Sequence, residues 1–302
     1  MKIAIIGAGF SGCNLYDNLR LRFDDITIFE KSRGVGGRLS TKYIGDKFID
    51  HGTSRLLPIT EDLKEFCLDL SKNAVLRARY DEFFPKEGIN KICKFLIDDK
   101  DLKTNTKITS AKLVDNKWNL KDENGNSFEG FDKLFLTIPA TQILQMDITL
   151  EDSIKSQLQT VSYDSVFTLI LYSNNKKIEN ISKIFENENV EDIIDNSRKY
   201  FYKDFNSYVI HSTKDFANSL NQFSKEEISD RFLNSFSEEI KKELEKLTII
   251  PHLWKFAFAK TSLDIPYYLN EDKNLGICGD YFNYNNLESA LLSSELLGNL
   301  DL

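Results

Sequence analysis

Apolar and polar positions along the chain fall into contrasting textures. Residues 3–6 form an unbroken apolar run between Lys2 and Gly7, and residues 26–29 and 134–138 repeat the pattern, the last ended by Pro139. Short runs with no alternation predict parallel strands buried on both faces. Residues 39–44 and 47–49 flank Gly45-Asp46, where glycine at the first turn position suits a type II′ hairpin. Leu63, Phe66, Cys67 and Leu70 recur at helical spacing and predict a helix over 61–72; a second is predicted over 89–97, introduced by Pro85 and Gly88. Residues 106–114, 117–121 and 127–131 alternate around the Asn124-Gly125 turn, the pattern of a β-meander.

From about residue 140 the texture changes. Residues 166–172 and 208–211 read as strands, and 225–247 as one or two amphipathic helices. Residues 174–200 are rich in Asn, Lys and Glu and read as a surface excursion. The opening style then returns, with a strand over 275–278 ending in Gly279-Asp280 and a helix over 287–297. No internal repeat is evident.

Composition narrows the class. The chain has 302 residues, 41% hydrophobic and 28% charged, which is ample for a core and ordinary for a globular protein. A net charge of −8 without a basic cluster gives no electrostatic footprint for nucleic acid. No apolar stretch approaches a membrane span, and the residues before Gly7 are too few for a signal peptide core. The four cysteines, Cys13, Cys67, Cys93 and Cys278, show no Cys-x-x-Cys spacing, so buried thiols in a cytoplasmic protein are expected rather than zinc or disulfides.

The candidate chemistry lies where the first strand meets its helix. Gly7, Gly9 and Gly12 form Gly-x-Gly-x-x-Gly: a tight turn, a close backbone approach to a pyrophosphate, and a close helix–strand contact. Phe10 and Ser11 lie within this motif. Glu30, at the end of the second apolar run, is placed to accept hydrogen bonds from ribose hydroxyls. Gly36, Gly37 and Arg38 follow soon after. A nicotinamide-binding fold has no need of that second glycine pair, whereas a longer cofactor passing close to backbone does. Arg38 would meet phosphate or ribityl oxygens. Together these features point to FAD. The expected fold class is mixed α/β: a Rossmann-like FAD-binding domain with an inserted substrate domain of antiparallel sheet and helices. The FAD-binding part is expected over 1–66, 86–140 and 271–302, and the substrate domain over 67–85 and 141–270.

These residues, with Lys31 to Arg38 and Asp50-His51-Gly52, resemble the flavin-dependent amine oxidase superfamily, and within it the renalase-like members. Gly88-Ile89-Asn90 is similar to a Gly-Met-Asn helix start, and Thr137-Ile138-Pro139-Ala140 to an Ala-Val-Pro-Ala strand end. Tyr208-Val209-Ile210-His211 resembles Trp-Val-x-His, and the run from His252 through Trp254, Lys255 and Ala257 resembles His-Arg-Trp-Arg-Tyr-Ala. Gly279-Asp280 and Leu287-Glu288-Ser289-Ala290 resemble a closing Gly-Asp and Val-Glu-Gly-Ala. Where such proteins continue Asp-His-Gly with Ala-Gln-Tyr-Phe, this chain has Thr53-Ser54-Arg55-Leu56; Ser289 stands in for a glycine.

The resemblance implies non-covalent FAD. Lys31 and Ile108 would lie near the adenosine, His51, Gly52 and Thr53 near the ring, and Thr137, Gly279 and Asp280 along the chain between. The helix starting at Leu287, with Glu288, Ser289 and Ala290, would face the pyrimidine edge, where a helix N-terminus favours negative charge. Cys278 lies inside the last strand and reads as a buried thiol rather than an attachment point. Renalase-like proteins are understood to oxidise off-pathway dihydro isomers of NAD(P). The implied reaction is hydride transfer to flavin N5 and reoxidation by O2 to H2O2. Two alternatives stay open: oxidation of a small amine, and a non-catalytic flavin-binding or redox-sensing protein. Candidate cavity residues are His51, His211, His252, Trp254 and Lys255, with Asp50-His51 read first as a structural pair. Tyr163, Tyr200, Phe201 and Tyr202 are expected in the core. The implied partners are a small-molecule substrate and O2.

Overall fold

The computed structural model describes residues 1–301. Its centre is a six-stranded sheet in the order Tyr268–Asn270, Leu275–Ile277, Lys133–Leu136, Lys2–Ile6, Asp25–Phe29 and Leu102–Lys103. All neighbours in it are parallel except the Tyr268–Asn270 edge. The apolar runs behave as parallel strands must. Ile3 and Ile5 join a core built against the helices Phe10–Leu19, Glu61–Lys72, Lys91–Leu96 and Leu287–Gly298. Ala4 and Ile6 join a second core on the opposite face, with Trp118, Leu120 and Phe131 of the meander. Trp118 is buried with its indole N–H satisfied by Lys273 O at 2.8 Å, so its large apolar area is buried with no orphaned donor. The C-terminal strand enters in register, Leu136 opposite Ile277, and brings Gly279-Asp280 to the end of the first sheet.

The meander strands Ile108–Val114, Lys117–Asp122 and Ser127–Phe131 pair as the alternation predicts, with Asp147–Ile148 added at one side. The predicted hairpin also forms, over Thr41–Ile44 and Lys47–Asp50, with Gly45 at φ +59°. Its turn geometry and its period-2 pattern agree, which is why it was readable.

A separate antiparallel sheet runs Val190–Asp195, Asn206–Ser212, Tyr163–Ser173 and Thr248–Ala259. One face, with Phe167, Leu169 and Leu171, packs on the helices Lys225–Asn234 and Glu238–Leu244; the region read as one or two helices is two. A capping box between Ser224 and Glu227 starts the first and Ser237 caps the second. The other face, with Ile170, Val209 and Ile194, packs on Ile49 of the hairpin. The hairpin is therefore a wedge between the antiparallel sheet and the helices under the first sheet.

Two segments depart from the expected plan. Residues 174–200 are not a surface excursion: Val190–Asp195 is a strand of the antiparallel sheet, and Asn196–Lys199 turns inward as a short helix. Residues 67–85, expected with the inserted region, place Cys67, Leu70, Leu76 and Phe83 in the same core as Ile3 and Leu15.

Candidate functional site: a glycine cradle and a histidine wall

The first strand ends at Gly7, whose amide donates to Phe29 O at 2.8 Å, and Thr137 Oγ1 donates to Gly7 O at 2.8 Å from beneath. Gly12 sits so close to Gly7 O that any Cβ there would lie far inside van der Waals contact. Gly9 is the opposite case: a Cβ on it would meet no atom within 4 Å. The space above Gly9 lies at the start of the Phe10–Leu19 helix, whose first turn carries no acidic residue and has no side-chain cap. The amides of Phe10, Ser11 and Gly12 precede the first intrahelical bond, Cys13 N to Gly9 O. Free amides and the helix dipole make this an anion cradle.

The second glycine pair closes it. Gly36 N donates to Ala8 O at 2.8 Å and Gly36 pairs with Gly9 as an isolated bridge. Gly36 holds φ +120°, and a Cβ on Gly37 would stand 3.3 Å from Gly9 Cα. The two glycine loops lie against one another. Glu30 is buried beside them, accepting from Ala8 N at 2.9 Å and Ser32 N at 2.7 Å. A carboxylate has about four acceptor positions, so roughly two stay open. Lys31 is exposed, its ammonium 3.1 Å from Gln142 Oε1, and Ile108 starts a meander strand nearby in sequence to Thr106, whose amide donates to Glu30 O.

Arg38 and Asp280, read separately from the sequence, meet each other in a bidentate pair at 2.6 and 2.7 Å. Arg38 also donates to Ala257 O at 3.3 Å. Arg38 O accepts from Thr53 N at 3.0 Å, and a Cβ on Gly52 would collide with that carbonyl. At the far end, Gly279 N donates to Ser293 Oγ at 3.3 Å. The Leu287–Gly298 helix is capped by Asn286, which accepts from Ser289 N at 3.1 Å. Ser289 Oγ donates to Phe282 O and accepts from Tyr284 N at 2.6 Å. Serine here braces a turn in which Asn283 and Asn285 hold positive φ, a task a glycine could not perform. Glu288 accepts from Ile59 N at 2.9 Å, tying the 53–60 loop to this helix, and Ala290 is buried beneath it.

The three histidines of the chain come together on the hairpin side of the antiparallel sheet. Thr168 is opposite His211 on one neighbouring strand and His252 on the other, so all three side chains share a face. Trp254, two residues beyond His252, joins them, its ring centroid 4.2 Å from that of His252 and 5.5 Å from that of His51. Lys255 falls on the opposite face and is exposed, so it does not join this wall.

Hydrogen bonds sort the histidines. His51 has Nδ1 3.4 Å from Ile49 O and Nε2 3.2 Å from Ser40 Oγ, so a neutral ring donates from Nδ1 and accepts at Nε2. His211 donates from Nε2 to His51 O at 3.0 Å, and Trp254 Nε1 donates to the same carbonyl at 3.2 Å. His252 engages neither ring nitrogen among the described residues. Burial, then the neighbouring His252, pulls the His51 pKa down to about 4; burial, then Lys225 and Lys42, pulls that of His252 down to about 4. Burial also lowers that of His211. At neutral pH the wall is uncharged. The Thr168 hydroxyl is buried without a partner at its centre.

Asp50 turns away from His51 into a buried hub. It accepts from Thr41 Oγ1 at 2.6 Å, Ile89 N at 2.8 Å, Lys199 Nζ and Tyr200 OH. Lys199 also donates to Ser54 O at 3.0 Å, so one ammonium clamps both ends of the loop carrying His51, Gly52 and Thr53. Lys199 is 6% exposed and Asp50 fully buried; burial pulls the lysine pKa down and Asp50 opposes it. Lys199 and Tyr200 were missed as site residues, because a lysine in a polar run carries no sign that it will be buried. Of the aromatics expected in the core, Tyr200 and Tyr202 pack on the hairpin, Tyr163 accepts from Ala140 N, and Phe201 is exposed. No helix among the described residues is long and apolar enough to cross a membrane, and no metal-binding cluster occurs among them.

The cradle has the form of a Rossmann-like domain: residues 5–70 match the family model for the NAD(P)-binding Rossmann-like domain. Within that class, the chain is similar to mouse renalase, 25% identical over 198 residues, 57% of this chain and 58% of the mouse protein. The match thus spans under two thirds of that relative. Wild-type putrescine oxidase with putrescine bound superposes with a TM-score of 0.65 at 12% identity, covering 98% of each chain. A CLA-producing fatty acid isomerase from P. acnes does so at 0.65 and 12%, covering 100% of this chain and 99% of that one. An oxidase and an isomerase at equal distance show a shared fold, and the renalase likeness agrees with the resemblance drawn from the motifs.

Proposed function

We propose that this chain is a renalase-like, FAD-dependent oxidase that takes hydride from a dihydronicotinamide isomer of NAD(P). The observation that carries the reading is the set of neutral rings: His51 and His211 have ring nitrogens committed to the protein, and the nearby carboxylate, Asp192 opposite His211, is hydrogen-bonded to none of the three rings among the described residues. Oxidation of a dihydropyridine needs no strong general base, because its ring nitrogen drives hydride departure.

The residues fit FAD. The open space at Gly9 and the amides of Phe10, Ser11 and Gly12 would hold the pyrophosphate. Glu30 would take ribose hydroxyls at its open acceptor positions, with Lys31 and Ile108 bordering the adenosine. Gly36, Gly37, Arg38, Thr137, Gly279 and Asp280 would line the middle, and His51, Gly52, Thr53 and the 287–290 helix start the ring. When bound, FAD supplies the hydride acceptor at N5 and passes the electrons to dioxygen, giving hydrogen peroxide. Trp254 and His252 would form the wall that positions the substrate ring and excludes water. In this reading attachment is non-covalent: Cys278, expected inside the last strand, follows it directly after Ile277 and is fully buried. In this reading the expected 271–302 segment, together with the edge strand Tyr268–Asn270 of the six-stranded sheet, closes the FAD part, and the antiparallel sheet forms the substrate side. Four buried, free thiols suit a cytoplasmic setting.

The test is anaerobic mixing of the yellow protein with dihydronicotinamide isomers and, separately, with amines such as putrescine. Bleaching by the isomers, with peroxide on admitting air, is expected. Bleaching by amines alone gives the amine oxidase instead, and no bleaching by any reductant in the panel leaves a flavin-binding protein without turnover.

A further inference from the structure

Lys42 stands beside the histidine wall without a partner. Backbone alternation decides its face. Thr41 reaches Asp50 and Tyr43 reaches Asn90 Oδ1 at 2.7 Å, both on one side of the hairpin strand. Ser40, on the other side, reaches the His51 ring. Lys42, two residues beyond Ser40, shares the His51 face. It is half-buried, and among the described residues its ammonium makes no ion pair or hydrogen bond.

The charges around the wall are segregated, cations on the His252 side and the Asp192 carboxylate on the His211 side. The groups that act on His252 are Lys225 and Lys42, both cationic. The carboxylates that act on the other two histidines are Asp50 and Asp192. Asp50 is saturated by Lys199, Tyr200, Thr41 and Ile89, and Asp192 accepts from Ile193 N at 2.8 Å. Lys225 is exposed and has Glu226 at 3.5 Å, which blunts it. Of the two cations that act on His252, Lys42 is the one with no carboxylate in ion-pair reach among the described residues.

We propose that Lys42 determines the charge of the substrate: its ammonium binds a phosphate of an anionic substrate at the mouth of the wall and disfavours cationic amines. The inference rests on the oxidase reading of the same site. An ammonium held beside neutral rings, in partly excluded water, attracts an anion and repels an alkylammonium group more strongly than it would in bulk.

The test titrates the flavin-loaded wild type, Lys42→Met and Lys42→Arg with NAD+, following the flavin absorbance. NAD+ carries the phosphates and needs no turnover to bind. Lys42→Met is expected to raise the NAD+ Kd about tenfold, the loss of one charge-assisted hydrogen bond. Lys42→Arg restores it to within about threefold, and rising salt weakens the wild type more than the methionine variant. Nicotinamide riboside, which lacks the phosphates, binds wild type and Lys42→Met equally. Equal NAD+ affinity in wild type and Lys42→Met, or no NAD+ binding to the wild type, overturns the proposal. The two readings separate cleanly. If no dihydronicotinamide isomer reduces the wild type yet Lys42→Met weakens NAD+ binding, the anion site stands and the oxidase reading falls. If the isomers reduce both proteins with one KM, the oxidase reading stands and Lys42 has no such role.

Discussion

The cradle and the wall are made of different material. The cradle is backbone: amides at a helix start, two glycine loops in contact, one buried carboxylate bracing them. The wall is side chains far apart in sequence, His51, His211, His252 and Trp254: His211 and Trp254 share the His51 carbonyl, Ser40 and Ile49 hold the His51 ring, and a lysine from another segment clamps its loop. A backbone site fails where an added atom would meet packed backbone, as at Gly12, and leaves room only where a ligand would lie, as at Gly9. A side-chain site survives small changes in shape and fails when a buried charge loses its partner.

The largest effect should come from adding one carbon to the cradle. Gly12→Ala forces the helix away from Gly7 O, a strain on the order of 3 kcal/mol with no flexible side chain to absorb it. The purified variant should lack the flavin absorption band and melt well below the parent. A yellow protein with the parental melting temperature would mean that the close contact is not a constraint.

The next effect probes the wall's foundation. Lys199→Met leaves the Asp50 carboxylate buried without its cation, which costs about 3–5 kcal/mol. Pairing it with Asp50→Asn should recover a good part of that loss in chemical denaturation. Equal stabilities for the single and double variants would show that the pair is not coupled.

These two regions also differed in how much of them could be read in advance. The cradle was legible because its requirements are local: Gly7, Gly9, Gly12 and Glu30 lie within one strand–helix–strand unit. Gly36-Gly37 was readable too, although its contact with Gly9 is tertiary. His252 and Trp254 were legible as alternate positions of a strand, but not which face they occupy, and Lys255 was carried along with them. The face is set by pairing Trp254 with Val166 and His252 with Thr168, contacts almost ninety residues apart. Asp50's true partner was hidden for the same reason. A Lys-Tyr pair in a stretch rich in Asn and Glu carries no local mark of burial, and only the sheet that leads into Asn196–Lys199 turns it inward. The Arg38–Asp280 pair spans the two chain ends, so neither motif announces the other.

A milder change separates shape from hydrogen bonding in the wall. Trp254→Phe keeps an aromatic ring beside His252 but removes the donor to His51 O, leaving that carbonyl to His211 alone. The expected cost is about 1 kcal/mol in stability. Flavin reduction should slow about tenfold while FAD content stays unchanged. Loss of FAD in this variant would mean that wall and cradle are one unit.

The last effect is nil at neutral pH and appears only on acidification, and its direction is fixed by which state binds the proton. His51 and His252 are held down to about 4 by burial, with added repulsion from His252 on the one and from Lys225 and Lys42 on the other. In the unfolded chain both return to about 6.5. Above pH 6.5 both states carry neutral rings, so this contribution to stability is constant. As pH falls from about 6.5 to 4 the unfolded chain takes up protons that the folded protein refuses, and stability declines. Below about 4 the folded rings protonate as well and the decline from this source levels off. Melting temperatures measured from pH 8 to 4 should be flat at first and then fall below about 6.5, and His252→Phe should make the fall shallower. A variant that falls as steeply as the parent would show that His252 titrates in the folded protein as it does in the unfolded chain, and the wall would then gain charge near pH 6.5 rather than near 4.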